Sequence, residues 1–323
     1  MKDSKGRSID YLRISVTDRC NLRCIYCMPE EGETYSLKED LLTYEEIMEV
    51  VNVAAELGVK KIRLTGGEPL VREGLCRLIK QIRQVEGIEE VSMTTNGLLL
   101  YEMIDDLQKA GLNRVNLSLD SLKDNVFETI VKKANLHHVM KGLKRTLELG
   151  LKVRINVVLL QGINDSESLD FVELVKTYPV DVRFIELMPI GRGRLYKGVS
   201  NTLLIKKIKT AGYNLSEIAH DSGSGPARYF ELEGGLGNLG FISPMSHQFC
   251  DSCNRIRLTS EGFLKLCLHS GHGVDLKKPL RDKVARSDLK ALIGASIASK
   301  PKHHQFGKAS ADEDDRHMNQ IGG

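Results

Sequence analysis

The sequence predicts an α/β protein that begins with a partial (β/α)6 barrel of the TIM type, built on parallel strands, and ends in a smaller C-terminal α+β domain. Short strand-like segments alternate with longer helical segments between Tyr11 and Glu186, which favours right-handed crossovers and a parallel sheet. The strand-like segments also alternate apolar with polar residues, so the sheet has one apolar and one polar face. If helices cover only the apolar face, the polar face turns inward, as in a barrel.

The barrel part contains six predicted strands and five predicted helices. The strands are expected over residues 11–16, 61–65, 91–95, 114–119, 153–158 and 182–186, and the helices over residues 44–57, 75–85, 101–110, 136–149 and 166–177. Thr43 and Glu46 have the spacing of a capping box before the first helix. Gly58, Gly111 and Gly150 follow helices where a left-handed residue is favoured.

The second part of the chain is richer in predicted β-structure, and we place the domain boundary between residues 225 and 226. A helix is expected over residues 203–211, a turn-rich linker over 221–225, a β-pair over 228–232 and 239–243, a hairpin over 255–258 and 263–267, and helical structure over 279–298. The polar tail that follows, which includes His303 and His304, is predicted to be mobile and solvated.

Composition limits the classes of protein that fit. The chain has 323 residues, of which 41% are hydrophobic and 28% charged, with a net charge of +3. This balance provides a sizeable core and does not favour a nucleic-acid partner. The first thirty residues lack the apolar run of a signal peptide, and no stretch is long enough to cross a bilayer. We therefore expect a cytoplasmic protein without a membrane partner.

Four arginines lie on the polar face of the predicted strands: Arg13, Arg63, Arg154 and Arg183. Burying an unpaired arginine is costly, and the guanidinium fork suits phosphate. A polyanionic ligand in the lumen is one explanation of the set. The alternative is that some of the arginines pair with internal carboxylates such as Asp120, which is less plausible for all four.

Three of the seven cysteines form the pattern Cys20-x3-Cys24-x2-Cys27 on the loop after the first strand. In a reducing compartment, such clusters indicate metal or redox sites rather than disulfides. A structural zinc site normally has four ligands. Three thiolates instead suit a cuboidal iron–sulfur cluster whose fourth iron stays open to a ligand.

A second set, Cys250-x2-Cys253-x13-Cys267, lies in the C-terminal part. A zinc site completed by His247, His269 or His272 is a serious alternative on spacing alone. The other interpretation is a second cluster with an open iron, beside Arg255 and Arg257, which suit an anionic substrate.

The segment "TGGEP", residues 65–69, follows the second predicted strand directly. Gly66 and Gly67 allow close approach of the backbone to a ligand, and Pro69 keeps Glu68 extended. Taken alone the segment is also compatible with an ordinary tight turn. Its position at the same barrel mouth as the first cysteine loop favours cofactor binding.

These motifs together resemble the radical S-adenosylmethionine enzymes. The resemblance rests on "ISVTDRCNLRCIYCMP", "RLTGGEPL", "TTNG", "VNLSLDSL", "ELMPIG", "FCDSCNRIRLTSEGFLKLCL" and the terminal "IGG". It extends over nearly the whole chain and is greatest to the members that cyclise GTP in the first step of molybdenum-cofactor biosynthesis.

The resemblance implies two [4Fe–4S] clusters, one on each cysteine set, with S-adenosylmethionine on the first and guanine on the second. The residues that match S-adenosylmethionine contacts are Tyr26, Gly67, Ser118 and Met188. The residues assigned to GTP, partly by match and partly as lumen arginines, are Arg13, Arg63, Thr94, Arg154, Arg183, Arg255 and Arg257. The residues expected to support the chemistry are Arg13, Arg255, Arg257, Gly322 and Gly323.

The implied reaction abstracts the ribose 3′ hydrogen of GTP and gives 3′,8-cyclo-7,8-dihydro-GTP. Its implied partners are a reductant such as flavodoxin or ferredoxin, a downstream cyclic pyranopterin monophosphate synthase and, as one option, a second copy of the chain. Two departures stand out. Arg154 replaces the usual family lysine, and "KDNVFETIVKKANLHHVM" lacks a frequent glycine–arginine pair.

Three other functions remain to be compared with this one. An iron–sulfur electron carrier would give the inward arginines no purpose. A radical S-adenosylmethionine enzyme acting on a peptide would not need Arg255 and Arg257 beside the second cysteine set. A zinc-stabilised RNA-binding protein needs a basic stripe with interleaved aromatics, whereas this chain has no tryptophan and 5% aromatic residues.

Overall fold

The computed structural model describes residues 1–31, 34–132, 135–218, 225–304, 306, 314 and 316–322. The barrel strands are β1 (Tyr11–Ser15), β2 (Lys61–Thr65), β3 (Glu90–Thr95), β4 (Arg114–Ser118), β5 (Lys152–Val158) and β6 (Asp181–Ile185). The helices among them are α1 (Tyr44–Glu56), α2 (Leu75–Arg83), α3 (Leu100–Lys109), α4 (Asp124–Val131), α5 (Leu136–Glu148) and α6 (Ser168–Thr177). All six predicted strands and all five predicted helices are confirmed.

The rest of the chain adds further strands and helices. The strands are β7 (Leu215–Ile218), β8 (Arg228–Leu232), β9 (Asn238–Ile242), β10 (Arg255–Leu258), β11 (Phe263–Lys265) and β12 (Gly273–Asp275). The helices are α7 (Asn201–Thr210), α8 (Lys277–Arg281), α9 (Arg286–Ala298) and α10 (Met318–Ile321).

The described strands form one twelve-stranded sheet in the order β12-β11-β10-β1-β2-β3-β4-β5-β6-β9-β8-β7. Strands β1 to β6 pair in parallel, as predicted. Strands β10 and β9 add to the two sides in parallel, and antiparallel strands continue from each. The predicted β-pair and hairpin are therefore present, and they extend the barrel sheet. The division at residue 225 stays a prediction.

The two faces of the sheet differ as the alternation predicts. The apolar strand residues, such as Leu12, Ile62 and Val115, are fully buried in one core with helix residues such as Ile47 and Leu78. The polar residues on the opposite face line an internal cavity. This arrangement leaves the inner face of the sheet free to build a binding site.

Local signals at helix ends are also confirmed. The Thr43 hydroxyl accepts a hydrogen bond from the Glu46 amide at 3.1 Å, and the Glu46 carboxylate accepts one from the Thr43 amide at 2.7 Å. Gly58, Gly111 and Gly150 have φ values of 93°, 100° and 73°. Each of these glycines adopts the left-handed conformation that ends its helix.

Several elements differ from the sequence expectation. Helix α4, of eight residues, and the short strands β7 and β12 were not predicted. The helical region predicted over residues 279–298 is divided into α8 and α9, and Lys283 between them has a left-handed φ of 52°. The end of the chain, predicted to be mobile, contains α10, whose Asn319 and Ile321 are buried. Of the predicted linker, only residue 225 lies among the described residues.

None of the helices among the described residues has both the length and the apolar character needed to cross a membrane.

Candidate active site

One cavity contains most of the residues that the sequence singled out. It is lined by both cysteine sets (Cys20, Cys24, Cys27, Cys250, Cys253, Cys267), by the predicted cofactor residues Tyr26, Gly67, Ser118 and Met188, and by Arg13, Arg63, Thr94, Arg154, Arg183, Arg255 and Arg257. These residues come from segments up to about 250 positions apart in the chain. The fold therefore brings together every predicted metal, cofactor and substrate residue.

The first cysteine loop follows β1 and turns back on itself. The Cys27 amide donates to the Cys24 carbonyl at 2.9 Å. The Cys20 sulfur accepts from the Leu22 amide at 3.4 Å and from the Asn96 side chain at 3.9 Å. Such donors stabilise a cluster-bound thiolate and tune its potential.

Burial raises the pKa of Cys20 to about 11 and that of Cys24 well above its usual range. Without a metal these two thiols are therefore protonated at neutral pH, and iron would have to displace the protons. The half-buried cysteines and the N–H donors around the Cys20 sulfur fit an iron–sulfur cluster. Among the described residues, no three His, Cys, Asp or Glu side chains converge on one point. A cuboidal cluster does not require such convergence, because each thiolate binds a different iron.

The glycines of the "TGGEP" loop are required by the chain itself. A Cβ atom on Gly66 would lie 2.6 Å from the Thr17 carbonyl oxygen, and one on Gly67 would collide with the Arg19 carbonyl. The Gly67 and Glu68 amides donate to those two carbonyls at 2.7 and 2.8 Å. The close approach that the sequence predicted is thus an approach to the segment that leads into Cys20.

Tyr26 is held by Asp120, the carboxylate that the sequence suggested as a partner for the lumen arginines. Its hydroxyl donates to Asp120 at 2.6 Å, and the Val158 amide donates to the other oxygen of Asp120 at 2.8 Å. Asp120 is thus occupied by Tyr26 and a backbone amide rather than by a lumen arginine.

The arginines of neighbouring strands lie side by side. Arg13 is in register with Arg257 on one side and with Arg63 on the other. Burial, together with Arg257 and Arg63, holds the pKa of Arg13 well below its usual range. Burial likewise lowers the pKa of Arg63 to about 10 and, aided by Arg255, that of Arg257 to about 10. A polyanion would relieve this crowding of buried positive charge.

Some of the lumen arginines have protein partners. Arg154 pairs with Asp181 at 3.2 Å, so the carboxylate alternative holds for that residue with a different carboxylate. Arg183 donates to the side-chain oxygens of Asn156 and Asn116 at 3.0 and 2.8 Å. The Arg63 Nε and the Thr94 hydroxyl are buried and accept or donate no hydrogen bond among the described residues. Both are suited to a polar ligand.

Sequence reasoning missed Arg114, which also lines the cavity and pairs with Glu90. Arg114 lies on the same face of β4 as the polar residues Asn116 and Ser118. The alternation that revealed the other arginines was therefore sufficient to find it. It missed Lys300 and His304 as well, because they lie in a tail without periodic pattern. The expectation of solvated histidines is wrong for His304, which lines the cavity with the second cysteine set.

The second cysteine set is surrounded by positive charge. Arg255 approaches the Cys253 sulfur at 3.9 Å. Burial alone would raise the pKa of Cys253, but Arg255 and Lys300 outweigh it and lower that pKa to about 7. A thiolate is the form that binds iron, so this environment fits a metal cluster. His269 also lines this region, as the zinc alternative required.

The C-terminal tail enters the same cavity. Arg257 donates to the Gly322 carbonyl at 2.5 Å, and the Asn319 side chain donates to the Asp18 carbonyl at 3.1 Å. Gly322 has a left-handed φ of 71° and lies against Ser15 and Thr65. Predicted residue Gly323 lies outside the described residues.

A partial parallel barrel with a three-cysteine loop after its first strand defines the class of radical S-adenosylmethionine enzymes. The Radical SAM superfamily model matches residues 14–175, and the Molybdenum Cofactor Synthesis C model matches residues 180–306. The structure of Streptococcus suis SuiB bound to S-adenosylmethionine shares the fold. Its TM-score is 0.63 at 16% identity, over 90% of this chain and 68% of that one.

Sequence relatives define the family more narrowly. A protein of Clostridium perfringens named GTP 3′,8-cyclase is 47% identical over 323 residues, which is 100% of both chains. One of Syntrophomonas wolfei with the same name is 46% identical over 326 residues, again 100% of both. This chain belongs to the GTP 3′,8-cyclase family of radical S-adenosylmethionine enzymes.

Proposed function

We propose that this enzyme converts GTP to 3′,8-cyclo-7,8-dihydro-GTP, the first step of molybdenum-cofactor biosynthesis. One observation carries the proposal: both three-cysteine sets and the inward arginines line a single cavity. An electron carrier does not need the arginines, and a single-cluster enzyme does not need the second set. The names of the full-length relatives support GTP as the substrate.

Cys20, Cys24 and Cys27 would hold the first [4Fe–4S] cluster. When bound, this cluster supplies the electron that cleaves S-adenosylmethionine to methionine and a 5′-deoxyadenosyl radical. Tyr26, Gly67, Ser118 and Met188 would hold S-adenosylmethionine, since all four line the cavity beside the cysteine loop. Asp120 fixes the Tyr26 hydroxyl, so the ring has one orientation toward the site.

The arginine face would bind the triphosphate of GTP. Arg13 and Arg63 on β1 and β2, and Arg154 and Arg183 on β5 and β6, line the cavity with their guanidinium groups, and the Thr94 hydroxyl offers a further contact. Bound phosphate would offset the mutual repulsion of Arg13, Arg63 and Arg257. Orientation of GTP by these groups would bring the ribose 3′ hydrogen to the adenosyl group and leave C3′ close to guanine C8.

Cys250, Cys253 and Cys267 would hold a second [4Fe–4S] cluster, which would supply a coordination position for guanine. Arg255 and Arg257 line the cavity together with both cysteine sets and would hold the nucleotide there. Arg257 also contacts Gly322, so the terminal Gly322-Gly323 pair would help to organise the occupied site. The remaining partners in this proposal are an external reductant such as flavodoxin or ferredoxin and a downstream cyclic pyranopterin monophosphate synthase, with a homodimer as one assembly.

The experiment that tests the reaction uses GTP deuterated at C3′. We expect deuterium to appear in 5′-deoxyadenosine and an isomer of GTP to form. Cys24→Ala should abolish S-adenosylmethionine cleavage, whereas Cys267→Ala should retain cleavage and lose the nucleotide product. If the deuterium stays in the nucleotide while cleavage proceeds, the proposed hydrogen abstraction is wrong.

A further inference from the structure

A buried arginine near the start of the chain, Arg7, contacts the backbone of the second cysteine set. Arg7 is 8% exposed, and its Nε donates to Asp3 at 2.6 Å. One Nη atom donates to the Cys250 carbonyl at 2.9 Å. The guanidinium also donates to three carbonyls that follow α9, those of Lys300, Pro301 and Lys302, at 3.2, 2.7 and 3.1 Å. Arg7 therefore joins the N-terminus to the first residue of the cysteine set and to the start of the tail.

Lys300 supports the other two cysteine-bearing segments. It is 3% exposed, and its ammonium group donates to the Arg255 carbonyl at 2.8 Å and to the Leu266 carbonyl. Arg255 lies two positions after Cys253, and Leu266 directly precedes Cys267. Arg7 and Lys300 together thus contact the backbone beside all three cysteines.

Nothing in the proposed reaction uses either cation, and the burial of each must be compensated locally. The guanidinium of Arg7 has the Asp3 carboxylate as its counter-ion. Among the described residues, the Lys300 ammonium group donates to carbonyl oxygens and pairs with no carboxylate. Burial lowers the pKa of Lys300, whereas Cys253 and Cys267 favour its charged form. Thiolates of an iron-bound second set would supply the missing negative charge.

We propose that Lys300 is a positioning residue of the second cysteine set, and that its buried charge raises the reduction potential of the cluster held there, with Arg7 fixing the surrounding backbone. The inference rests on the proposed second [4Fe–4S] cluster. A nearby positive charge favours the reduced, more negative form of a cluster. The Lys300 contacts also link the segments that carry Cys253 and Cys267 to the start of the tail, because Arg7 in turn contacts the Lys300 carbonyl.

The test uses the full chain, reconstituted anaerobically, as wild type, Lys300→Met, Arg7→Lys and Lys277→Met. Lys277 is the control, because it is a partly buried lysine that pairs with Asp40 instead of contacting a cysteine segment. Potentials are measured by redox titration with electron paramagnetic resonance. The second-site signal, which comes from the cluster on Cys250, Cys253 and Cys267, is the one that S-adenosylmethionine leaves unchanged. Iron loss to a chelator is followed in parallel.

For Lys300→Met we expect a second-site potential shifted to more negative values and about tenfold faster loss of second-site iron, because a charged hydrogen-bonding group is removed. The first-site signal and its response to S-adenosylmethionine should not change. Arg7→Lys keeps the charge but loses the fork, so it should accelerate iron loss without shifting the potential. It also provides a test if Lys300→Met does not fold.

Equal second-site potentials in Lys300→Met and Lys277→Met would overturn the assigned charge effect. Equal rates of iron loss in wild type and Arg7→Lys would overturn the assigned role of the backbone contacts. Wild-type protein that binds only about four iron atoms per chain would instead exclude the proposed second cluster itself, and this inference with it. Failure of the inference and failure of the proposed function are therefore distinguishable.

Discussion

Glu68 shows how a single side chain in the "TGGEP" loop is shaped by burial. It is 1% exposed and accepts hydrogen bonds from the Thr95 hydroxyl, the Asn96 amide and the Leu70 amide at 2.7, 2.7 and 3.1 Å. Burial nevertheless raises the pKa of Glu68 to about 7. The sequence could predict the loop but not this balance, which depends on neighbours from β3.

The shift at Glu68 predicts a pH dependence of stability. In the unfolded chain this carboxyl releases its proton near pH ~4.3, so between that pH and about 7 the folded chain binds the extra proton. The free energy of unfolding should therefore fall as pH rises through this window, by on the order of 3 kcal/mol from this group. Glu68→Gln cannot titrate and should flatten the dependence. Urea unfolding of the iron-free chain between pH 5 and 8 measures the two slopes, and equal slopes would refute the assignment.

Arg257 both lines the predicted nucleotide pocket and contacts the C-terminal tail. Arg257→Ala removes a buried guanidinium that contacts Gly322 and lies beside Arg13. We expect the KM for GTP to rise roughly tenfold to a hundredfold, the effect of one lost charged hydrogen bond, while S-adenosylmethionine cleavage continues without coupling. Arg77→Ala, on an exposed part of α2 where Arg77 pairs with Glu45, is the control. If Arg257→Ala has the same KM for GTP as wild type, Arg257 does not bind the nucleotide.

Among single residues, the strand alternation predicted the positions of Arg13, Arg63, Arg154 and Arg183 because side-chain direction in a strand depends only on parity. It could not predict their partners. That Arg154 pairs with Asp181 and Tyr26 with Asp120 depends on the packing of β5 and β6 and on the loop after β4.

At the scale of elements, α1 gives a direct test of a sequence signal. Thr43→Ala removes the capping-box acceptor for the Glu46 amide. We expect a loss of about 1 kcal/mol in the free energy of unfolding. Thr129→Ala is the matched control, since the Thr129 hydroxyl is exposed and donates to the Asn125 carbonyl within α4. Equal stability of the two variants would contradict the capping assignment.

The tail marks the limit of element prediction. Its polar composition predicted mobility, yet α10 is buried because Asn319 contacts the Asp18 carbonyl and Gly322 contacts Arg257. Lys265, fully buried on β11, pairs with Asp314 and adds a further attachment. These are contacts between segments remote in sequence, and no local periodicity reports them.

At the scale of the whole molecule, the βα alternation predicted the parallel barrel because each crossover is local in sequence. The addition of β9 beside β6 and of β10 beside β1 was not predictable in this way, since those strands come from the C-terminal part. Their placement is what carries Cys250, Cys253 and Cys267 into the cavity of the first cysteine set. The site thus depends on both parts of the chain.

The proposed function requires this cavity to couple S-adenosylmethionine cleavage to cyclisation of GTP. The most direct test is to quantify 5′-deoxyadenosine formed by the reduced, iron-reconstituted enzyme with and without GTP. We expect strong stimulation by GTP and a product with the mass of GTP but different chromatographic behaviour. Cleavage that is indifferent to GTP, or no cleavage by protein shown to carry reducible clusters, would contradict it.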